Sequence, residues 1–161
     1  MAYECLHRNA MWLKLYKLGI NGKMLRIVKD MYEKVKSCVR SCNNYSECFE
    51  YAVGLRQGEV TSPTLFSLFI EDLELFFQNG VTSGLSFDDS LLILHLFADD
   101  MVILGKSVDE INTSLELLCN YCNTWSLEVN AHKTKDMAFF GKRGGLLNNE
   151  YLHIMATGWK K

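Results

Sequence analysis

The chain has 161 residues, of which 48% are hydrophobic and 22% are charged. This composition excludes a disordered chain and fits one globular domain or a piece of one. The single proline, Pro63, excludes proline-rich linkers. No apolar run approaches the roughly 20 residues that span a bilayer. The start lacks the build of a signal peptide. Six cysteines without such a signal indicate reduced thiols in an intracellular protein, nuclear or cytoplasmic.

The net charge of -2 conceals a partition along the chain. Residues 1–53 carry nine Lys/Arg against five Asp/Glu, residues 54–118 carry two against eleven, and residues 119–161 carry six against three. An acidic centre between basic flanks suits a protein that holds metal cations in its middle and an anionic polymer around them. Helix surfaces that simply differ in charge produce the same partition, so both explanations stay open.

The first third of the chain predicts helices and then a hairpin. The spacing predicts a helical stretch over 9–36, broken at 19–22. Its second part carries an apolar stripe made of Met24, Ile27, Val28, Met31 and Val35. The opposite side is basic, either a phosphate-contacting surface or a solvated helix face, and carries Lys23, Arg26, Lys29, Lys34 and Lys36. Two short segments, 37–42 and 46–53, predict a hairpin that turns at Asn43-Asn44.

A loop over 54–61 precedes a second helical region. Ser62 is predicted as its N-cap and Pro63 as its first helical residue, with the end at Asn79-Gly80. The residues predicted to be buried on it are Leu65, Phe66, Phe69, Leu73 and Phe76. Two apolar runs within 91–104 predict a buried hairpin that turns at 98–100.

The last third predicts one helix and one strand. Residues 107–110 carry a capping-box signature, which predicts a helix behind them. Its apolar face consists of Ile111, Leu115, Leu118, Cys122 and Trp125. A strand is predicted near 136–140, and residues 141–161 show no clear pattern.

The adjacent carboxylates Asp99 and Asp100 lie between two hydrophobic runs. Two such charges repel in an apolar setting, whereas a hard cation such as Mg²⁺ favours carboxylate oxygens. An ordinary solvated Asp-Asp turn is the alternative. Two-metal chemistry would also need a carboxylate from a second chain segment.

Three motifs together resemble reverse transcriptases of LINE-type (non-long-terminal-repeat) retrotransposons. The stretch Gly54–Phe66, continuing through Phe69–Leu73, resembles their second conserved block. Phe97-Ala98-Asp99-Asp100 resembles their catalytic metal-binding block, and Trp125–Asn130 with 133–139 resembles the block that follows. Three blocks in this order are a specific signal, and the resemblance covers about residues 2–140.

The resemblance implies an α/β (α+β) fold, a partial right-hand polymerase palm with some fingers over 1–140, and leaves 141–161 as an unassigned tail. It implies RNA-directed DNA synthesis from an RNA template, a DNA primer and deoxynucleoside triphosphates, with two Mg²⁺ ions. Asp99 would be the metal ligand, Asp100 its supporting neighbour, and Lys133 a proton donor to the triphosphate. The residues placed against the nucleotide and template are Arg56, Gln57, Gly58, Phe97 and Ala98.

The family's essential first aspartate would precede Met1, because residues 2–8 resemble only the tail of its block. Glu4 matches a second acidic position there and not the metal ligand. We therefore expect a polymerase fragment that is inactive as an isolated chain. The alternatives are a non-catalytic nucleic-acid-binding remnant and a chain that does not fold stably alone.

A zinc site is the weaker metal hypothesis. Cys119 and Cys122, with His132 as a third ligand, have zinc-like spacing, but no second cysteine pair completes four ligands. The apolar helix face accounts for Cys122 without a metal. His95, inside an apolar run, is predicted to be a strand residue and not a catalytic base.

Overall fold

A computed structural model describes residues 6–80, 84–87, 90–98, 100–140 and 151–159. The helices in these ranges are α1 (Arg8–Lys17), α2 (Gly22–Tyr32), α3 (Thr61–Ile70), α4 (Leu73–Gly80) and α5 (Val108–Trp125). The strands of the first half are β1 (Lys36–Ser37), β2 (Arg40–Ser41), β3 (Asn44–Tyr45) and β4 (Phe49–Glu50). Those of the second half are β5 (Leu85–Phe87), β6 (Ser90–Leu92), β7 (Leu94–Phe97), β8 (Asp100–Gly105), β9 (Lys135–Phe140) and β10 (Tyr151–Gly158). This mixture of helices and antiparallel strands confirms the predicted α+β class.

The helical stretch near the start is confirmed, including its break, but its buried side is not the one that the spacing predicts. Met24 and Ile27 are exposed, whereas Tyr32 is 2% exposed and is the buried residue of α2. The helix ends at Tyr32, and the amide of the next residue, Glu33, donates to the carbonyl oxygen of Asp30 at 3.3 Å. The predicted stripe was therefore wrong at Met24 and Ile27, because the side of α2 that packs against the core carries Leu25, Val28 and Met31 and ends at Tyr32.

The hairpin over 36–50 is confirmed with a different turn. Ser41 pairs with Asn44, so the turn residues are Cys42 and Asn43, not Asn43 and Asn44. Cys42 has a φ of 52°, the left-handed conformation that such a turn requires.

The predicted N-cap at Ser62 was wrong. Helix α3 begins at Thr61, and Ser62 lies within it, 2% exposed, donating its Oγ–H to the carbonyl oxygen of Arg56 at 2.6 Å. The hydroxyl thus fixes the loop before the helix instead of capping the helix. The helical region is also divided at Glu71-Asp72 into α3 and α4, and its end at Gly80 is confirmed.

A four-stranded antiparallel sheet has the strand order β7-β8-β10-β9. β7 and β8 form the predicted hairpin, and β9 confirms the predicted strand. β10, for which the sequence shows no pattern, lies between β8 and β9 and pairs with both. Without β10 these two strands would have no common neighbour, so the end of the described chain holds the sheet together.

One face of the sheet packs against helices. Leu94, Met101, Ile103 and Met155 are buried on this face and belong to the hydrophobic core, to which α3 and α5 contribute Phe66, Phe69, Leu118 and Tyr121. The other face carries exposed side chains, among them His95, Phe97, Asp100, Met137 and Phe139; we call it the open face. Among the described helices, none is long and apolar enough to cross a membrane.

Helix α5 is closed at both ends by local signals. Ser107 accepts a hydrogen bond from the Glu110 amide at 3.2 Å, which confirms the N-cap of the predicted capping box. The return bond differs, because Glu110 Oε2 accepts from the amide of Lys106 at 2.7 Å and not from that of Ser107. At the other end Ser126 has a φ of 56°, and the amide of Leu127 donates to the carbonyl oxygen of Cys122 at 2.9 Å.

Replacing Ser126 by glycine is expected to stabilise the chain by about 0.5–1 kcal/mol, because glycine adopts a positive φ without the Cβ penalty. Urea unfolding of Ser126→Gly beside the wild type measures this difference. Ser107→Ala, which removes the N-cap, is the opposite control and should cost about 1 kcal/mol. Equal or lower stability of Ser126→Gly would contradict the expectation.

Candidate active site

The β7–β8 hairpin places an acidic tip at one end of the sheet. Phe97 pairs with Asp100 across the hairpin, and Ala98, with a φ of 53°, starts the turn between them. Phe97 is 76% exposed, and Ala98 and Asp100 are exposed as well. Asp99, the predicted metal ligand, lies outside the described residues. The hairpin therefore presents the Asp100 carboxylate to solvent on the open face.

The strand beside this tip offers no further carboxylate at the paired position. Asp100 pairs with Gly158 of β10, so no side chain stands directly across from it. The next two open-face positions along β10, Ala156 and Ile154, are apolar. β10 therefore supplies no acid beside Asp100, and a second acid near it would have to come from the β7–β8 hairpin itself or from another element.

The predicted Lys133 lies in a turn at the same end of the sheet. Its amide donates to the carbonyl oxygen of Asn130 at 3.0 Å, and its side chain is exposed. The amide of Asn130 donates to the carbonyl oxygen of Gly158 at 2.7 Å, which ties the turn to the end of β10. Because Gly158 is also the partner of Asp100, the structure brings the lysine turn and the acidic tip to the same end of the sheet.

The loop before α3 is fixed by a buried tyrosine. The guanidinium carbons of Arg8 and Arg56 lie 5.2 Å and 5.5 Å from the centroid of the Tyr32 ring. The Tyr32 hydroxyl donates to Glu59 Oε2 at 3.0 Å, and burial raises the pKa of Tyr32, so the hydroxyl keeps its proton. Arg56 itself donates from Nη2 to the carbonyl oxygen of Met31 at 2.5 Å. Arg56 is therefore a structural residue as well as a candidate binding residue.

Gly58 has a φ of 80°, and nothing lies within 4 Å of the position a Cβ would take. The reason for glycine here is thus the backbone conformation and not a close contact within the chain. Its neighbour Gln57 is exposed and faces the groove described next.

A basic groove of about 630 Å³ runs beside this loop. Its walls come from the segment that follows α2, the base of the 36–50 hairpin and the loop. Its lining residues are Lys34, Val35, Lys36, Ser37, Tyr51, Leu55, Arg56 and Gln57. The charged residues among them are all cationic. In the described part of the chain, Arg56 Nε is a buried donor without an acceptor. We call this feature the basic groove, and its chemistry suits an anion such as a phosphate.

Helix α3 connects the groove to the acidic tip. Ser62 at its start binds the Arg56 carbonyl, and Ser67 and Ile70 line a small cleft of about 170 Å³ that Ala98 also lines. Ser62 and Ser67 are five residues apart, a rise of about 7.5 Å along a helix. The loop that carries Arg56 and the turn that carries Ala98 therefore lie near different ends of α3.

Sequence reasoning missed two acidic residues near the tip. Glu71 and Glu74 line the same small cleft as Ala98. The only sequence signal was that Glu71 lies within the second conserved block, between Ile70 and Asp72.

The metal hypotheses have different outcomes. Asp100 has the hard oxygen ligands that Mg²⁺ prefers and is exposed. However, the described ranges contain no group of three His, Cys, Asp or Glu residues that could hold a metal ion. This includes the zinc candidates: Cys122 is buried, and burial raises the pKa of its thiol to about 12, which opposes the thiolate that zinc needs.

A helix-backed antiparallel sheet with an acidic hairpin tip and an open face defines a palm-like α+β domain. Comparison with known proteins identifies its family. Residues 6–155 match the reverse transcriptase (RNA-dependent DNA polymerase) family, and the chain belongs to that family. The resemblance predicted from the three motifs is thereby confirmed.

Related proteins carry the same block of sequence within much longer chains. An RNA-directed DNA polymerase from mobile element jockey of Drosophila funebris is 28% identical over 133 residues, which cover 78% of this chain and 14% of that protein. A probable RNA-directed DNA polymerase from transposon BS of Drosophila melanogaster is 29% identical over 119 residues, which cover 70% and 13%. The chain thus spans about one seventh of the length of these relatives.

Proposed function

We propose that this chain is the catalytic-hairpin part of the palm of a retrotransposon RNA-directed DNA polymerase. The observation that carries the proposal is the placement of Asp100 on the open face of the sheet, at the end where the Lys133 turn also lies. In this arrangement an RNA template and a DNA primer lie over the open face, with a deoxynucleoside triphosphate at the acidic tip.

Each motif residue has a role in this proposal. Lys34, Lys36 and Arg56 attract the phosphates of the template strand into the basic groove. Gln57 and the backbone at Gly58 contact the incoming nucleotide and template, and exposed Phe97 and Ala98 support the base pair at the tip. Lys133 orients the triphosphate and supplies a proton to the leaving group.

Asp99 and Asp100 are proposed as carboxylate ligands of Mg²⁺, which when bound would lower the pKa of the primer hydroxyl and neutralise the departing pyrophosphate. Asp100 points to solvent, where such an ion can enter without displacing protein. The remaining ligands would have to come from another chain segment or from the substrate.

The second candidate is nucleic-acid binding without catalysis. One observation favours it: β10 presents Gly158, and so no carboxylate, across from Asp100. This candidate keeps the basic groove and leaves the acidic tip without a chemical role.

Both candidates need the groove, so binding of a fluorescent RNA–DNA primer–template tests it first. The wild type is expected to lose affinity as salt rises, because binding releases counterions. Reversing two charges, Lys34→Glu with Lys36→Glu, is expected to weaken Kd about tenfold or more and to reduce the salt slope by about two.

The matched control is Lys23→Glu with Arg26→Glu, which reverses two exposed charges on α2 outside the groove lining. This pair is expected to change Kd less than the groove pair. Equal losses would show that general charge drives binding. An unchanged Kd for the groove pair would reject the proposed template path.

The acidic tip is tested by the dependence of binding on Mg²⁺ and a complementary deoxynucleoside triphosphate. The polymerase proposal expects both to tighten primer–template binding and expects Asp99→Asn with Asp100→Asn to remove that gain. Binding that ignores Mg²⁺ and these substitutions would favour the non-catalytic candidate.

A further inference from the structure

The 36–50 hairpin places two cysteines opposite each other. β1 and β4 pair Lys36 with Glu50 and Ser37 with Phe49, so the next pair along the ladder is Cys38 with Cys48. At the other end of this ladder, the Tyr51 amide donates to the carbonyl oxygen of Val35 at 2.9 Å, so Val35 and Tyr51 are a hydrogen-bonded pair. Hydrogen-bonded and non-hydrogen-bonded pairs alternate, and Cys38 and Cys48 therefore form a non-hydrogen-bonded pair.

This type of pair has the spacing that a disulfide needs. Opposite Cα atoms in a non-hydrogen-bonded pair are about 4.5 Å apart. The range found in disulfides starts at about 4.4 Å. Desolvation and the electrostatic effect of the neighbouring Cys48 thiol raise the pKa of Cys38. Both side chains are exposed, so a small oxidant reaches them.

The ladder changes register just beyond the pair. Val39 exchanges hydrogen bonds with Ser46, from its amide to Ser46 Oγ and from the Ser46 amide to its carbonyl oxygen, both at 2.9 Å. Arg40 then pairs with Tyr45, which leaves Glu47 as one extra residue on the returning strand. The cysteines thus close the regular part of the ladder, directly below this bulge.

The hairpin has little else to hold it. Every residue from 38 to 50 is exposed, and each of its two ladders has only two residue pairs. An isolated two-stranded hairpin is marginally stable in water. Its base carries Lys36 and Ser37, which line the basic groove. A covalent link here would therefore fix one wall of that groove.

We propose that Cys38 and Cys48 are a modification site, a reversible cross-strand disulfide formed by exchange with a small disulfide such as oxidised glutathione. One cysteine thiolate attacks a glutathione sulfur, the glutathione S–S bond breaks, and one glutathione leaves. The second thiolate attacks the protein sulfur of this mixed disulfide, and the other glutathione leaves. Two protein thiols are oxidised, one glutathione disulfide is reduced, and the two protons pass to the departing thiolates.

The test equilibrates the 161-residue chain in glutathione redox buffers, blocks remaining thiols and maps peptides after trypsin. Cleavage after Lys36, Arg40 and Arg56 separates peptide 37–40, with Cys38, from peptide 41–56, with Cys42 and Cys48. The expected product is the two peptides joined by one disulfide. Unfolding in concentrated urea is expected to lower the equilibrium constant for this product about tenfold or more, because the strands no longer hold the sulfurs together.

Cys42→Ser is the matched control, because it removes the thiol at the turn and leaves the opposed pair. The link is expected to persist in Cys42→Ser and to disappear in Cys48→Ser. A link that requires Cys42, glutathione adducts without a link, or equal formation in native buffer and urea would each overturn the proposal.

Discussion

Replacing Lys14 by alanine is expected to lower the free energy of unfolding by about 3 kcal/mol. Lys14 is only 3% exposed, and its Nζ donates to the carbonyl oxygen of Phe69 at 2.7 Å and to Asp72 Oδ1 and the Tyr121 hydroxyl at 2.5 Å each. The same Nζ lies 4.0 Å from the centroid of the Trp125 ring. One side chain therefore joins α1 to the α3–α4 junction and to α5.

The side-chain stem of Lys14, more than its charge, accounts for this expectation. Asp72 keeps a second hydrogen bond, from the Tyr121 hydroxyl at 2.6 Å, and its side chain is 47% exposed, so it tolerates the loss of the ammonium group. Lys14→Met keeps most of the apolar stem and is expected to cost less than about 1.5 kcal/mol. Urea unfolding of both variants measures the difference. Equal losses would show that the charge and not the packing is decisive.

The charge is visible instead in the pH dependence of stability. Burial lowers the pKa of Lys14 from 10.5 to about 8 despite the opposing effect of Asp72. Between these values the unfolded chain binds the proton that the folded chain has lost, so stability rises with pH. Lys14→Met should remove this rise. The window closes near pH 10, because burial raises the pKa of Tyr121, and ionisation of the unfolded tyrosine then lowers stability.

Local sequence signals predicted most of the elements, and tertiary packing decided the others. The break at 19–22, the Ser107 cap and the two hairpins depend on residues close in sequence. Which side of α2 is buried depends on α1 and α3, so Met24 and Ile27 could not be assigned from spacing alone. The sequence does not distinguish Lys14 from an exposed lysine, because its partners lie 55, 58 and 107 residues away.

The candidate site was predictable as motifs but not as an arrangement. The sequence motifs around Arg56 and Asp100 identify the candidate site residues, and the family match confirms the predicted family. That Lys133 lies at the same end of the sheet as Asp100 follows only from β10. Gly158 of β10 pairs with Asp100, and its carbonyl oxygen accepts from Asn130 in the turn that carries Lys133. The residue types of β10 show no apolar–polar alternation, because Ile154 and Ala156 are apolar like Met155 while the buried Thr157 is polar. The alternating burial of Met155, Thr157 and Trp159 is therefore visible only in the structure.

The 161-residue chain is expected to give no Mg²⁺-dependent primer extension on an RNA template. Two-ion transfer needs carboxylates from at least two chain segments around the metals. The strand beside Asp100 presents Gly158, which has no side chain to ligate. Extension by the wild type that disappears in Asp99→Ala would contradict this expectation and would show that the site is complete.

Adding the missing carboxylate tests the same reasoning by gain instead of loss. Paired residues on antiparallel strands project to the same face with Cβ atoms about 5 Å apart, so Gly158→Asp would place a second carboxylate beside Asp100. We expect Mn²⁺ affinity, measured by electron paramagnetic resonance, to rise about tenfold or more, because the added charge acts on the ion at short range. The gain should vanish when Asp100→Asn is added.

Ala156→Asp is the matched control, since Ala156 lies on the same open face but pairs with Val102. Two residues along a strand displace its carboxylate by about 7 Å, too far to share an ion with Asp100. Tighter Mn²⁺ binding in Gly158→Asp alone would place the metal at the hairpin tip. Equal gains in both variants would mean that Mn²⁺ responds only to the total negative charge of the open face, and the tip would then have no special affinity for the ion.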